Sequence, residues 1–303
     1  MRLVERCPAC GEARRAMLSA ARAFPCDTPG FPPHPDYAVA RCEACALIYK
    51  TATPDPDSLA AYYRALDCAP FEAGLDFPTD AAALAAARRA GPGARVLDHG
   101  CSAGRLLAAL GPAFARFGVE PNAAAAARAA ARGVTILDEA AAGAERFEVI
   151  LLTDVYEHLI APLETTARLA GLLEPGGRLV LVTGLADALP PRREAEHWYF
   201  RIYGHLQMAG AAHLDWLAKR LGLEREDAKR RSHYRRDRSR WWRQRAQAFA
   251  YARFRDAPSA LPTRLLGAVP LLRRARLWSN LPATDQFEDH VVATFRAPER
   301  HTA

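Results

Sequence analysis

Four cysteines near the N-terminus have the spacing to hold a metal ion. CPAC places Cys7 and Cys10, and CEAC places Cys42 and Cys45, as two Cys-x-x-Cys pairs about thirty residues apart. Each pair can turn its thiolates toward one point, and two such knuckles close a tetrahedron around zinc. Disulfides compete for the same residues, but the x-x spacing suits a metal better, and a reducing compartment keeps thiols free. Four thiolates leave no open coordination position, so the expected zinc is structural. Cys26 and Cys68 have no such partner and read as buried or free thiols.

A second constellation begins at RVLDHGCSAGRLLAAL, residues 95–110. An apolar run reaches Asp98, breaks through a turn containing Gly100, Cys101, Ser102 and Gly104, and resumes at helical spacing. Glycines at a strand-to-helix turn let a ligand approach the backbone closely. Cys101 reads as a small packing residue within that turn. Glu120 ends the next apolar run, 22 residues after Asp98, where a carboxylate can accept both hydroxyls of a ribose. Asp138 ends the third run, where an adenine amino group could sit. The turn is not the Gly-x-Gly-x-x-Gly of a dinucleotide site, and a carboxylate beside it repels phosphate and attracts an ammonium. Ribose, adenine and a cationic amino acid together describe S-adenosylmethionine.

TDVYEHL, residues 153–159, ends a fourth apolar run, where the reactive methyl of such a ligand should point. Asp154 could contact the cofactor or an acceptor. Tyr156 and His158 are candidates for proton transfer, His158 because imidazole titrates near neutrality. The competing reading makes Glu157 and His158 hydrogen-bonded scaffold at a helix start. EAEHWYFRIYGHLQMAG, residues 194–210, gathers further aromatic and titratable side chains. His197 is a third proton-transfer candidate, and Trp198, Tyr199 and His205 are candidates for the acceptor pocket. An aromatic packing patch explains the same residues equally well. Tyr62 and Tyr63 could fold over the site, or bury one ring and expose the other.

VLDHGCSAG resembles the first motif of class I S-adenosylmethionine-dependent methyltransferases, Val-Leu-Asp-x-Gly-Cys-Gly-x-Gly, with Ser102 where that family usually has glycine. GVEPN resembles their second acidic motif. FEVILLTDVYEHLIAPLETTARLAGLLEPGGRLVLVTG, residues 147–184, resembles their fourth-strand motif with the loop and strand that follow. CPACG, RCEACALIY and AAYYRAL resemble the zinc-ribbon subgroup, which includes sugar C-methyltransferases and other tailoring enzymes of natural-product and glycan pathways. The chain is shorter than the sugar C-methyltransferases and has no clear copy of their second large domain. The resemblance implies a Rossmann-like α/β fold and S-adenosylmethionine as cofactor. Asp98, Gly100, Cys101, Ser102, Gly104, Glu120, Asp138, Asp154 and Tyr63 would surround it, and methyl transfer to a small-molecule acceptor would follow.

These side chains need elements to position them. The strand-like runs ARVLDHG, FARFGVEP, GVTILDE, FEVILLTDV and GRLVLVTG alternate with helical stretches over 104–110, 122–132 and 161–173. That alternation predicts a doubly wound α/β sheet of parallel strands with helices on both faces. Ligands of such sheets sit beyond the carboxyl ends of the strands. Earlier in the chain, FPCDTPGFPPHPDYAVA reads as a loop and then a strand, and ALIYK as the last strand of a ribbon. PDPDSLAAYYRAL reads as a helix capped by Asp57 or Ser58, and an Ala-rich helix over 80–90 ends at GPG. The expected division is a zinc ribbon over 1–52, a helical linker or lid over 53–93, a cofactor-binding core over 94–224, and a basic, helical C-terminal extension over 225–303.

The 303 residues carry a net charge of +7, yet residues 225–255 alone hold a balance of +9. The basic character therefore belongs to one segment. Its arginines and interleaved aromatics suit nucleic acid, although no RNA-binding module accompanies them. With Trp241, Trp242 and the following LLGAVPLLRRARLW they also suit an anionic membrane surface or lipid-linked acceptor, or an acidic carrier protein. A solvated Arg-rich helix is the plain alternative. The stretch is expected to lie away from the reactive methyl, with at least one Trp packed on the body. No uncharged apolar run approaches the ~20 residues of a membrane span, and MRLVERCPACGEARR has no signal-peptide core. A cytoplasmic enzyme, monomeric or homodimeric, is expected. Its acceptor is a small molecule in one reading and a macromolecule or carrier-bound group in the other.

Overall fold

The computed structural model describes residues 2–66, 77–234, 238–277 and 288–299. Cys68 lies outside the described residues. The N-terminal part contains β1 (Arg2–Leu3), β2 (Arg15–Ala21), β3 (Tyr37–Cys42), β4 (Ile48–Lys50) and β5 (Ala52–Thr53), then helices α1 (Pro56–Ala65) and α2 (Pro78–Arg88). Asp55 caps α1, in place of the expected Asp57 or Ser58: its carboxylate accepts from the Ser58 N–H at 2.9 Å. Pro56 at the helix start fixes this choice, because proline is tolerated in the first turn and its ring needs the preceding residue extended.

The alternating part follows as β6 (Arg95–His99), α3 (Arg105–Leu110), β7 (Ala115–Val119), α4 (Ala123–Ala131), β8 (Thr135–Ile136), α5 (Glu139–Gly143) and β9 (Phe147–Thr153). A 3₁₀ turn, Tyr156–His158, leads to α6 (Pro162–Ala170), β10 (Leu173–Gly184), β11 (Gln207–Met208), α7 (Ala211–Leu221) and β12 (Glu224–Arg231). The helices α8 (Arg238–Asp256), α9 (Leu261–Leu266) and α10 (Pro270–Arg273) precede the last strand, β13 (His290–Arg296).

Seven strands form the central sheet in the order β12-β13-β10-β9-β6-β7-β8. Strands β6 to β10 run parallel, and β13 is inserted antiparallel between β10 and β12. Alternate side chains of the buried strands feed two cores. Leu97, Ile150, Leu152, Leu179 and Leu181 pack one face with Leu169 of α6 and Leu214 and Leu217 of α7. Val96, Val149, Leu151, Val180 and Val182 pack the other with Ala83 and Ala87 of α2, Leu106 and Leu107 of α3 and Ala129 of α4. Burial of each of these Leu, Ile and Val side chains contributes roughly 1.5–3 kcal/mol. Strands covered on both faces read as continuous apolar runs, which is why they were visible in sequence.

The C-terminal segment departs from the expected helical extension. Residues 224–231 and 290–296 are strands of the central sheet, so a boundary drawn at 224/225 would cut that sheet. Seven residues of β13 pair with β10 from Arg178↔Arg296 to Gly184↔His290, which fixes the C-terminal segment against the middle of the molecule. The stretch over 238–273 is helical as expected. The ribbon is likewise tied to the core, because β11 joins β4 to give a second sheet of order β11-β4-β3-β2.

Candidate functional site

A cavity of about 440 Å³ opens at the carboxyl ends of β6 to β9, where the strand order reverses between β6 and β9. Gly100, Ser102, Glu120, Asp138, Asp154, His158 and Tyr63 line it, together with the apolar Val119, Leu137, Val155 and Leu159. The turn after β6 is built for close approach. Gly100 has φ +85°, and a Cβ there would stand 2.6 Å from Val155 Cγ2. Ser102 also lies in the left-handed region, at φ +47°, which accounts for the glycine usual at that position. Its N–H donates to Glu120 Oε2 at 2.9 Å, and the Asn122 N–H donates to Glu120 Oε1 at 2.8 Å. These two bonds fix the Glu120 carboxylate at the cavity wall.

Two turn residues pack instead of facing the cavity. Cys101 Sγ fills the space that a Cβ on Gly118 would need, and Gly104 is pressed against Ala129 of α4. Asp98 is also placed differently from the expectation that it meets an ammonium. It sits inside the β6 ladder opposite Gly118 and Leu151, 3% exposed and outside the cavity lining. His99 ends the strand in its stead. Its Nε2 lies 2.8 Å from Oε1 of Glu139, and both residues line the cavity. That hydrogen bond holds the Glu139 carboxyl below its usual range. Asp138 lines the cavity while one of its oxygens caps α5 through the Ala141 N–H at 2.7 Å.

On the opposite wall, Tyr63 donates to the Gly204 carbonyl at 3.0 Å, and His158 Nδ1 is 3.0 Å from the same oxygen. The Tyr63 hydroxyl also stands 3.2 Å from Nδ1. In the tautomer where Nδ1 donates to the carbonyl, which accepts only, Nε2 of the neutral ring keeps its lone pair. Glu157 is scaffold: its oxygens accept from Thr183 Oγ1 at 2.9 Å and from the Tyr199 hydroxyl at 2.6 Å. Tyr199 is wholly buried, and its hydroxyl also accepts from the Gly184 N–H at 2.9 Å. His205 lies between Tyr199 and His158, its ring tilted against the first at 4.1 Å and edge-on to the second at 4.7 Å.

Several expected site residues point elsewhere. Tyr156 is buried with its hydroxyl 2.6 Å from His213 Nε2, away from the cavity. The 3₁₀ turn sends its ring down into the core while His158 faces up. His197 is buried outside the lining, and burial pulls its pKa down to about 4. Trp198 packs edge-on against Tyr199. Tyr62 is buried and donates to Asp27 at 3.0 Å. Residues 197–205 thus form the layer behind the cavity wall rather than its surface.

Sequence reasoning missed the two histidines that approach Asp154 of the cavity wall. Asp154, just past β9 at φ +53°, is approached by His233 after β12 and by His290 at the start of β13. Enclosure first, and the Glu157 carboxylate second, push the Asp154 pKa up to about 8. Burial pulls His290 down, but the Asp289 hydrogen bond and the Asp154 charge outweigh it, so its pKa is raised. The basic segment therefore reaches the site, contrary to expectation. The signal was present in DHVVATF, where an acid and a histidine open an apolar run, as the same pair closes one in VLDHG.

The four ribbon cysteines come together. Cys7 and Cys45 sulfurs are 3.4 Å apart, as are Cys10 and Cys42, and all four lie within 4.8 Å of one another. Sulfurs held ~2.3 Å from one tetrahedral ion stand about 3.8 Å apart, so the cluster fits zinc.

The sheet order, the glycine turn and the acids at one end of the strands define the class: a class I S-adenosylmethionine-dependent methyltransferase. A methyltransferase-domain family model matches residues 76–228, a little over half of the chain, and the chain belongs to that family. No curated protein sequence matches it significantly. Among solved structures, it is similar to the 1,6-didemethyltoxoflavin N1-methyltransferase of Burkholderia thailandensis. Identity is 17%, coverage is 92% of this chain and 100% of the other, and the TM-score is 0.48. It is also similar to the N-methyltransferase NodS of Bradyrhizobium japonicum bound to S-adenosylhomocysteine. There identity is 18%, coverage is 79% and 97%, and the TM-score is 0.45.

Proposed function

We propose that the cavity binds S-adenosylmethionine and that the chain transfers its methyl group to a small-molecule acceptor. The observation that carries the reading is the disposition of Glu120, Asp138 and Asp154 along one cavity, each just beyond a successive parallel strand. S-adenosylmethionine supplies an electrophilic sulfonium methyl, and alignment and desolvation are the protein's share. Glu120 accepts the ribose hydroxyls. Asp138 and the apolar Leu137 and Val119 take the adenine edge and face. Gly100 and Ser102 let the amino acid portion lie along the turn. His158 Nε2, its tautomer held by Gly204, accepts a proton from the acceptor, and Tyr63 keeps that ring in place. Zinc on Cys7, Cys10, Cys42 and Cys45 is structural. Calorimetry with S-adenosylhomocysteine, followed by mass spectrometry of candidate hydroxyl- and amine-bearing acceptors for one added methyl, tests the reading. Absence of S-adenosylhomocysteine binding refutes it.

A carrier-bound or membrane-associated acceptor is favoured by one observation. Trp242, Phe249, Leu261, Leu265, Val269 and Leu277 are exposed on the Arg-rich helices. No helix among the described residues is long and apolar enough to cross a membrane, so such docking would be peripheral. A steep loss of acceptor turnover with salt supports this second reading, and a flat response supports the free small molecule.

A further inference from the structure

The end of the cavity marked by Asp154 has the geometry of a second metal centre, distinct from the four cysteines. Three segments far apart in sequence converge there: the exit of β9, the loop after β12, and the first residue of β13. His290 Nε2 stands 3.8 Å from Asp154 Oδ1, and His233 Nδ1 stands 3.9 Å from Asp154 Oδ2. The three ligand atoms lie within 4.8 Å of one another. The two imidazole rings are stacked at 4.4 Å and 19°, and each sets one nitrogen against a different oxygen of Asp154.

These separations are too long for hydrogen bonds. They are what a shared ion produces: two ligand atoms ~2.1 Å from one metal stand about 3.4 Å apart at a tetrahedral angle and about 4.2 Å when opposed. The surroundings add a second argument. His290 Nδ1 lies 3.1 Å from Asp289 Oδ1, an acceptor only, so Nδ1 donates there and the ring turns Nε2 toward Asp154. Asp154 Oδ1 is also buried without a hydrogen bond among the described residues. Asp289 completes the pattern. It is 3% exposed and accepts from the His233 N–H at 2.9 Å, so one carboxylate orients one ligand ring and the backbone of the other. A histidine ligand whose remaining N–H is held by a carboxylate is the recurrent outer shell of metal sites.

We propose that Asp154, His233 and His290 bind a divalent first-row transition ion whose open positions face the cavity. Two imidazoles and one carboxylate suit zinc, iron(II), cobalt or manganese, and three protein ligands leave room for further ones. Asp154 is shared by this cluster and the cavity lining. The ligand the ion would take is an oxygen of the acceptor, a hydroxyl or a carboxylate. The methyl-transfer reading bears on what the ion does there and not on whether it binds. The related group Glu157, His158 and His205 lacks this character, because hydroxyls occupy both Glu157 oxygens and a carbonyl occupies His158 Nδ1.

Cobalt(II) titration of the metal-stripped full chain separates the two centres. A four-thiolate site gives intense sulfur-to-cobalt charge-transfer bands, and a nitrogen and oxygen site gives only weak visible bands. Two equivalents are expected, the second without charge transfer. His233→Ala and His290→Ala each weaken the second equivalent at least a hundredfold and leave the first intact. Asp289→Asn weakens it about ten- to a hundredfold. His233 is at the rim, 14% exposed, so its variant tests the site even where loss of His290 disturbs folding. Wild-type chain that binds one equivalent, or a second equivalent that survives both substitutions, overturns the proposal. S-adenosylhomocysteine calorimetry on the same variants reports on the cofactor crevice independently.

Discussion

Replacement of Glu120 by alanine is the sharpest test of the cofactor crevice. The Ser102 and Asn122 N–H groups hold the carboxylate at 2.9 and 2.8 Å. In the proposed role it accepts two ribose hydroxyls. Hydrogen bonds to a charged acceptor are worth about 1.5–3 kcal/mol each, so losing both costs about 3–6 kcal/mol of binding. That corresponds to roughly two to four powers of ten in affinity. The substitution also frees the N–H of Ser102, whose positive φ Glu120 helps to hold, so Glu120→Gln is the control. Glutamine keeps one acceptor oxygen and most of the packing, and its loss should fall between wild type and alanine. Calorimetry with S-adenosylhomocysteine, alongside thermal melting, reads both effects. An alanine variant that melts like wild type and binds within about threefold, ~0.7 kcal/mol, would refute the ribose role.

Three further outcomes follow from the geometry. The purified chain should hold one zinc per ribbon, and a Cys42→Ser, Cys45→Ser variant that keeps full ribbon zinc by elemental analysis rules the site out. His34 is fully buried, and burial, with Lys50 second, pulls its pKa to about 3. The unfolded ring takes up a proton below about pH 6.5 and the folded one does not, so stability is lost as pH falls; between pH 6.5 and 5 the loss is about 1.6 kcal/mol. Urea midpoints across that range check it, and His34→Phe should flatten the slope. Gly184→Ala would place a Cβ 2.3 Å from Tyr199 Cζ and push that ring off Glu157. A cost of about 1–3 kcal/mol is expected, and a midpoint within error of wild type would show that the ring moves freely.

What the sequence revealed was short in range. The glycine turn, Glu120 and Asp138 were legible because a strand, its turn and the next helix are consecutive in the chain. Asp98 stands one residue short of the strand end, since only the ladder shows that β6 continues through His99. The far end of the cavity was hidden for a topological reason. His233 and His290 meet Asp154 only because β13 inserts between β10 and β12, and no periodicity encodes that pairing. β12 was disguised further: an edge strand keeps its outer face charged, so EREDAKRR read as part of a basic tail. The aromatic run 197–205 admitted two readings because burial, not composition, separates a wall from the layer behind it.

The ribbon and the site are mechanically one object, and this leads to a last expected outcome. His213 Nδ1 is 2.9 Å from the Cys45 carbonyl, so that nitrogen donates and Nε2 accepts the Tyr156 hydroxyl at 2.6 Å. Gln207, in the strand that pairs with β4, donates to the Tyr156 and Leu159 carbonyls, both at 2.8 Å. The Leu206 N–H donates to the Glu157 carbonyl, and the Lys50 N–H of β4 donates to Leu206. Residues 156–159, which present His158, are thus strapped from both sides to a strand whose register depends on the cysteine knuckle. If zinc holds that knuckle, chelation should loosen the strap before it loosens β6 and β9, whose bonds lie inside the central sheet. Hydrogen exchange should accelerate at 156–159 and 204–208 on metal removal while 96–98 and 149–152 stay protected. Unchanged protection at 156–159, with the ribbon itself exchanging freely, would separate the two parts and leave the zinc knuckle without influence on His158.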